Sequence, residues 1–391
     1  MAQGSVFAVF ISILMVSTGS LNTICAKWAD SLKAGGEQFN HPFLQALCMF
    51  FGEFLCLVVF FLIHGYKRYR WNRENVEGDG GSIRDLSSSD EPTLPVLNPL
   101  LFVFPACCDI LATSIMYIGL NLTTASSFQM LRGAVILFTG LLAVSFLGAN
   151  MQKFRWLGML FVMAGLAVVG ISDIVFDDDP LDDTNAIITG NLLIIMAQII
   201  VAMQMVYEQK YVQQYDVPAL FAVGLEGLFG MTILGALLLP MYYIHVPRTF
   251  STNPYGRLED VFYALEEIGE TPAIAMALGG TIVSIAFFNF AGVSVTKELS
   301  ATTRMVLDSV RTLIIWIVSI PLFNEKFIAV QLIGFALLIL GMFVYNDILV
   351  GPWMRRNLVP RMGENRMAGC CISLWTVDNE GREPLMDEDD S

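Results

Sequence analysis

Apolar stretches long enough to cross a lipid bilayer recur along almost the whole chain, and no other feature limits its fold as strongly. A spanning helix needs about 20 largely apolar residues, because every backbone polar group must find its partner within the segment. Ten such stretches are readable, at 5–26, 42–64, 97–120, 125–147, 154–175, 189–209, 217–243, 272–296, 300–323 and 328–349. Composition agrees: 55% of the 391 residues are hydrophobic and 15% charged, against about 25% charged in a soluble chain. A soluble enzyme, a disordered tail protein and a disulfide scaffold are excluded. The first stretch lacks a basic leader region and is too long for a signal peptide, so it is read as a retained span.

The net charge of −14 does not describe a uniform acidic surface. Much of it lies in segments 177–183, 259–270 and 387–390, which read as solvated loops. No basic patch with interleaved aromatics is present, so nucleic acid is not an expected partner. Cys25, Cys48, Cys56, Cys107 and Cys108 sit in apolar stretches, and Cys370 and Cys371 in the tail, where palmitoylation is conceivable. Asn121-Leu122-Thr123 forms a glycosylation sequon, but in a tight turn at the membrane face, where no glycan is expected.

The chain divides into residues 1–175, a first set of five helices with a flexible cytosolic loop at 65–96, and 176–350, a second set of five. Residues 351–391 form a mobile cytosolic tail, and residues 258–268 have the pattern of a short surface helix. With ten spans and a cytosolic N-terminus, 14 Lys and Arg fall on the cytosolic side, 5 on the other, and Arg132, Arg304 and Arg311 inside spans. Positive charge favours the cytosolic side, so both termini are placed there.

An offset of 176 residues aligns the halves. It carries Ala125-Ser126-Ser127 onto Ala301-Thr302-Thr303, Gly158 onto Gly334 and Gly165 onto Gly341. Five is odd, so two such halves lie in the membrane with opposite orientation. The expected fold is therefore an all-α membrane protein of ten transmembrane helices arranged as two inverted five-helix repeats. That is a transporter architecture with its site near the midplane.

Charges inside spans mark cavities or partners, because exposing them to lipid costs about 2.5–3.5 kcal/mol on insertion scales. Arg304, Asp308 and Arg311 follow one another at i, i+4 and i+7, on one helix face. Gln129 and Arg132 lie at i, i+3, and the offset carries Arg132 onto Asp308. With Asp109, Tyr117 and Ser126 these are the candidate cavity residues. Guanidinium forks bind carboxylate or phosphate in two-pronged fashion. The competing reading is structural, with Asp308 neutralising an arginine of its own helix and Arg132 meeting Asp109. Glu53 and Glu226 are candidates for coupling transport to protons. Three scattered histidines and no metal-ligand spacing leave no basis for a metal, a cofactor or an enzyme.

The string Ser126-Ser127-Phe128-Gln129-Met130-Leu131-Arg132-Gly133, with Lys297-Glu298-Leu299-Ser300-Ala301-Thr302-Thr303-Arg304-Met305, resembles the drug/metabolite transporter superfamily, within solute carrier family thirty-five, nearest its subfamily F. Ala26-Lys27-Trp28-Ala29-Asp30 and Gly52-Glu53-Phe54 support the likeness, which covers residues 5–350. The resemblance implies inverted halves, nucleotide-sugar-transporter-like exchange of a small-molecule solute, and no assigned substrate. It implies a lysosomal or late endosomal membrane, with Golgi or mitochondrial association as alternatives. For this branch it adds a mitochondrial adenine nucleotide carrier as a partner; a homodimer is also considered. Three functions remain open: an exchanger of organic anions, a proton-coupled carrier of amines or peptides, and a non-transporting protein that acts through partners.

Overall fold

The computed structural model describes residues 2–34, 37–77, 93–95, 97–120, 122–123, 128, 130–148, 152–176, 184–247, 254–299, 301–323 and 329–345. Gln129, Ser126, the sequon asparagine, the acidic stretch 177–183 and the tail 351–391 lie outside them.

The described residues are overwhelmingly helical. Helix α1 spans Ala2–Ser31, α2 Pro42–Glu77, α3 Val103–Leu120, α4 Val135–Leu147 and α5 Lys153–Phe176. They are followed by α6 Thr184–Gln214, α7 Ala219–Tyr243, α8 Val261–Glu270, α9 Pro272–Glu298, α10 Ala301–Phe323 and α11 Ala329–Tyr345. Single-turn 3-10 segments lead into α3 (Pro99–Phe102) and α4 (Arg132–Ala134). The strands among the described residues are the pair Lys33–Ala34 and Glu37–Gln38. Six of the helices are long and apolar enough to cross a membrane: α1, α2, α3 with its leading turn, α6, α7 and α9. Many of their outward residues are exposed large apolar side chains, including Leu62, Leu111, Leu192 and Val283. This is the surface of a protein whose solvent is lipid.

The boundaries have local causes. Proline opens α2 and α9, where its missing N–H costs nothing. Gly148 closes α4 in the left-handed conformation, with φ 65°. One expectation needs correction. The start of the loop expected at 65–96 is helical: α2 continues to Glu77. After Gly65, Lys67, Arg68, Arg70 and Arg73 are good helix formers with no Pro or Gly among them, so the helix runs on past the apolar stretch.

Helices pack in antiparallel pairs through glycines. Along α5 and α11, Gly165 faces Gly334 and Gly158 faces Gly341. A methyl group on Gly165 would sit 2.7 Å from the Gly334 carbonyl oxygen, and one on Gly341 would sit 2.8 Å from that of Gly158. These are the four glycines that the 176-residue offset aligns. In the same way Gly224, Gly227 and Gly230 of α7 lie against Leu57, Glu53 and Phe50 of α2. Small residues let membrane helices approach closely and gain dispersion contact. A Gly165→Val substitution is expected to lower the melting temperature of the purified protein in detergent, by an overpacking cost of about 1–3 kcal/mol. Gly279→Ala, where a methyl group meets nothing within 4 Å, serves as the control; equal melting of the two would remove the close packing.

The pairing has a regular pattern. Helix α1 lies along α9 and α3 along α6; α1 also touches α10, as α4 touches α6. Helices α2 and α7 pair, as do α5 and α11, and α4 meets α10.

Helix α8 is short, amphipathic and outside the apolar bundle. Asp260 caps it by accepting the Tyr263 N–H at 3.1 Å and also pairs with Arg257. Its segment is fastened to the start of α2 by a buried cluster. His41 Nδ1 lies 2.5 Å from Glu259 Oε1 and its Nε2 lies 3.1 Å from Glu267 Oε2. The Phe43 N–H, one of the free donors at the start of α2, donates to Glu259 Oε2 at 3.0 Å. Burial opposes the charged imidazole, but the two carboxylates outweigh it and raise His41 above its ordinary value. Burial likewise raises Glu267, against the lowering influence of His41 and Tyr263.

Candidate functional site

The helices enclose a cavity of about 460 Å³ lined from both sets. Helix α1 contributes Lys27 and Asp30, α2 Glu53, α3 Asp109 and Tyr117, and the turn before α4 Arg132. Gln198 comes from α6, Glu226 from α7, Asn289 from α9, and Arg304, Asp308 and Arg311 from α10. The structure thus brings together Arg132, Arg304, Asp308, Arg311, Asp109, Tyr117, Glu53 and Glu226 around one space. Gln129 and Ser126 fall outside the described residues.

Each polar group owes its place to helix geometry. The i, i+4, i+7 spacing of Arg304, Asp308 and Arg311 turns all three toward the cavity. Arg304 reaches across to α6, where its Nη1 donates to Glu208 Oε2 at 2.6 Å. Both side chains are buried, so the pair is well shielded from water. Arg311 pairs with Asp308 at 2.7 Å, and its guanidinium lies 4.8 Å from the Phe288 ring centroid, a cation–π contact. Arg132 stands 5.9 Å from the centroid of Phe128. No carboxylate among the described residues is within ion-pair distance of Arg132; Asp109 instead accepts from the Thr113 hydroxyl at 3.3 Å.

The carboxylates gather at one part of the wall. Glu53 Oε1 accepts from Asn289 Nδ2 at 2.5 Å. Glu226, one residue from the glycine that touches Glu53, has an Oε1 with no hydrogen-bond partner. Glu53, Asp109, Glu208 and Glu226 are in mutual electrostatic reach around Arg304. Arg132 lies instead in reach of Arg311. The cavity therefore has an acidic part and a part with two guanidinium groups.

Sequence reasoning missed Glu208, which sits at the polar end of its apolar stretch and reads as a boundary residue. It also left out Lys27 and Asp30 as site residues, although both line the cavity. Among the described residues no group of His, Cys, Asp and Glu is arranged to hold a metal ion.

A bundle of apolar helices around a charged internal cavity defines a membrane transporter. No protein-family model matches the chain. It is 51% identical over 373 residues to solute carrier family 35 member F6 of Homo sapiens, covering 93% of this chain and 96% of that protein. The chain therefore belongs to solute carrier family 35, whose members are named as carriers and not as enzymes. The UDP-N-acetylglucosamine transporter of Rattus norvegicus is 26% identical over 162 residues, 41% of this chain and 44% of that one. A crystal structure aligns with a TM-score of 0.51 and 13% identity over 86% of this chain and 95% of its own, a likeness of fold alone.

Proposed function

We propose that the chain is a multi-pass secondary transporter that exchanges an organic anion, nucleotide-sugar-like in character, by alternating access across an intracellular membrane. The observation that carries this reading is a cavity lined by helices from before and after the middle of the chain, with Arg132 and Arg311 on its wall. In this reading α4, α5, α10 and α11 also span, giving ten helices with both termini in the cytosol. The helix pairing supports inverted repeats. Exchanging the first five helices for the second turns the α1–α9 contact into α6–α3 and α1–α10 into α6–α4, and returns α2–α7, α4–α10 and α5–α11 to themselves. Two halves so related can swap conformations around a fixed site. The partial likeness to a UDP-N-acetylglucosamine transporter supports the solute class. A lysosomal or late endosomal membrane is the proposed location.

Arg132 binds the anion with both prongs of its guanidinium, and Arg311 adds a second positive charge held in place by Asp308 and Phe288. Proteoliposomes preloaded with unlabelled UDP-N-acetylglucosamine should take up the labelled compound. Arg132→Lys keeps the charge but loses the fork, and exchange should fall about tenfold, the equivalent of about 1.4 kcal/mol. Unchanged exchange by the lysine variant would rule out two-pronged recognition.

A further inference from the structure

The cavity wall carries more acid than base. Among its described lining residues, four cationic side chains face five carboxylates. Arg304 is committed to Glu208 behind it, and Arg311 to Asp308. Asp30 accepts from Gln45 and lies in reach of Lys27, which leaves Glu53, Asp109 and Glu226, one from each of three helices. Two of them have a donor: Asn289 for Glu53 and Thr113 for Asp109. Glu226 does not. Its residue is 9% exposed and its Oε1 is buried without a hydrogen-bond partner, on the cavity wall.

The groups facing Glu226 come from every side. Helix α2 presents Glu53 with the Cys56 thiol beyond it, α3 presents Asp109, α6 presents Glu208 and α10 presents Arg304. One guanidinium, already paired, stands among four carboxyl groups. An unpaired buried carboxylate oxygen among like charges is costly. A proton on Glu226 removes one negative charge and supplies the hydrogen-bond donor this part of the wall lacks.

We propose that Glu226 is the proton-exchanging group of this cavity, which makes the proton the carrier's co-ion. This rests on the carrier reading above for its consequence, though not for its chemistry. A proton on Glu226 removes one of these negative charges and so weakens the wall's repulsion of an anion. Proton and anion therefore bind together, and anion binding weakens as pH rises, by about tenfold per unit for one linked proton.

The test uses the full-length protein in lipid and infrared difference spectra recorded across a pH jump. The wild type should show the carbonyl stretch of a protonated carboxyl group that is lost on raising the pH. That band should be absent in Glu226→Gln and shifted in Glu226→Asp, which retains a carboxyl group should the glutamine variant fold poorly. Adding UDP-N-acetylglucosamine at intermediate pH should increase the band. Absence of any pH-dependent carboxyl band, or its persistence unchanged in both variants, overturns the proposal. A band that responds to Glu226 substitution but not to the nucleotide sugar leaves the proton site standing and counts against the anion-exchange reading instead.

Discussion

Replacing Arg304 with methionine should destabilise the folded protein by about 3–5 kcal/mol, the usual cost of stranding a buried charge. The stranded group is Glu208, whose side chain is 1% exposed and whose Oε2 accepts from Arg304 at 2.6 Å. Its other carboxylate oxygen already lacks a hydrogen-bond partner. Removing the guanidinium leaves it among Glu53, Asp109 and Glu226 with no cation in contact. Thermal unfolding in detergent measures the loss. The double substitution Arg304→Met with Glu208→Leu should recover most of it, because a buried ion pair replaced by apolar residues of similar volume is often neutral. If the single variant melts with the wild type, the pair across α6 and α10 does not exist in solution.

Replacing His41 with alanine should have a similar cost, about 3–5 kcal/mol, for the same reason at a different place. Glu259 and Glu267 are both nearly fully buried around one imidazole ring. Both ring nitrogens face carboxylate oxygens, so the ring serves them best as a cation donating twice. The pH dependence follows from the sign of its shift. A histidine raised above its ordinary 6.5 contributes stability that is complete below that value and is lost as pH rises through the raised one. Glu267, raised by burial, acts in the same sense. The melting temperature of the wild type should therefore fall as pH rises from about 6 into the alkaline range, and His41→Gln should flatten that slope. A slope that survives in the glutamine variant would place the titrating group elsewhere.

The contrast between these two clusters and the rest of the site shows what a single sequence can disclose. The helices were legible because twenty apolar residues in a row have few alternatives. The α10 charges were legible as a face because their spacing is local. Their pairing was only half legible, since Asp308 can reach an arginine on either side of it, and it took Arg311. That freed Arg304 to cross to Glu208, 96 residues away, a choice that no local pattern records. The His41 cluster is harder still, with partners 218 and 226 residues distant in a segment that reads as a solvated acidic loop. The Asn289 contact to Glu53 spans 236 residues. The offset picks out the four glycines of α5 and α11 as equivalent, Gly158 with Gly334 and Gly165 with Gly341, but not that Gly165 faces Gly334 and Gly158 faces Gly341. The extension of α2 to Glu77 is not legible from apolar length, because the residues after Gly65 are polar and lead into a stretch rich in Gly, Ser and Asp, whereas lysine and arginine are good helix formers.

The glycine seam between α5 and α11 also bears on how the chain is made. About 150 residues separate the end of α5 from the start of α11. At about 5–20 residues per second, synthesis of that interval takes roughly 8–30 seconds. Throughout that time Gly158 and Gly165 are without the helix they pack against, a groove cut for a segment that has not yet been translated. In the ten-span reading proposed above, α5 thus enters the bilayer with an open seat. Until α11 is made, that seat is open to lipid or to another helix, so in this reading the α5–α11 contact is among the last of the fold to form.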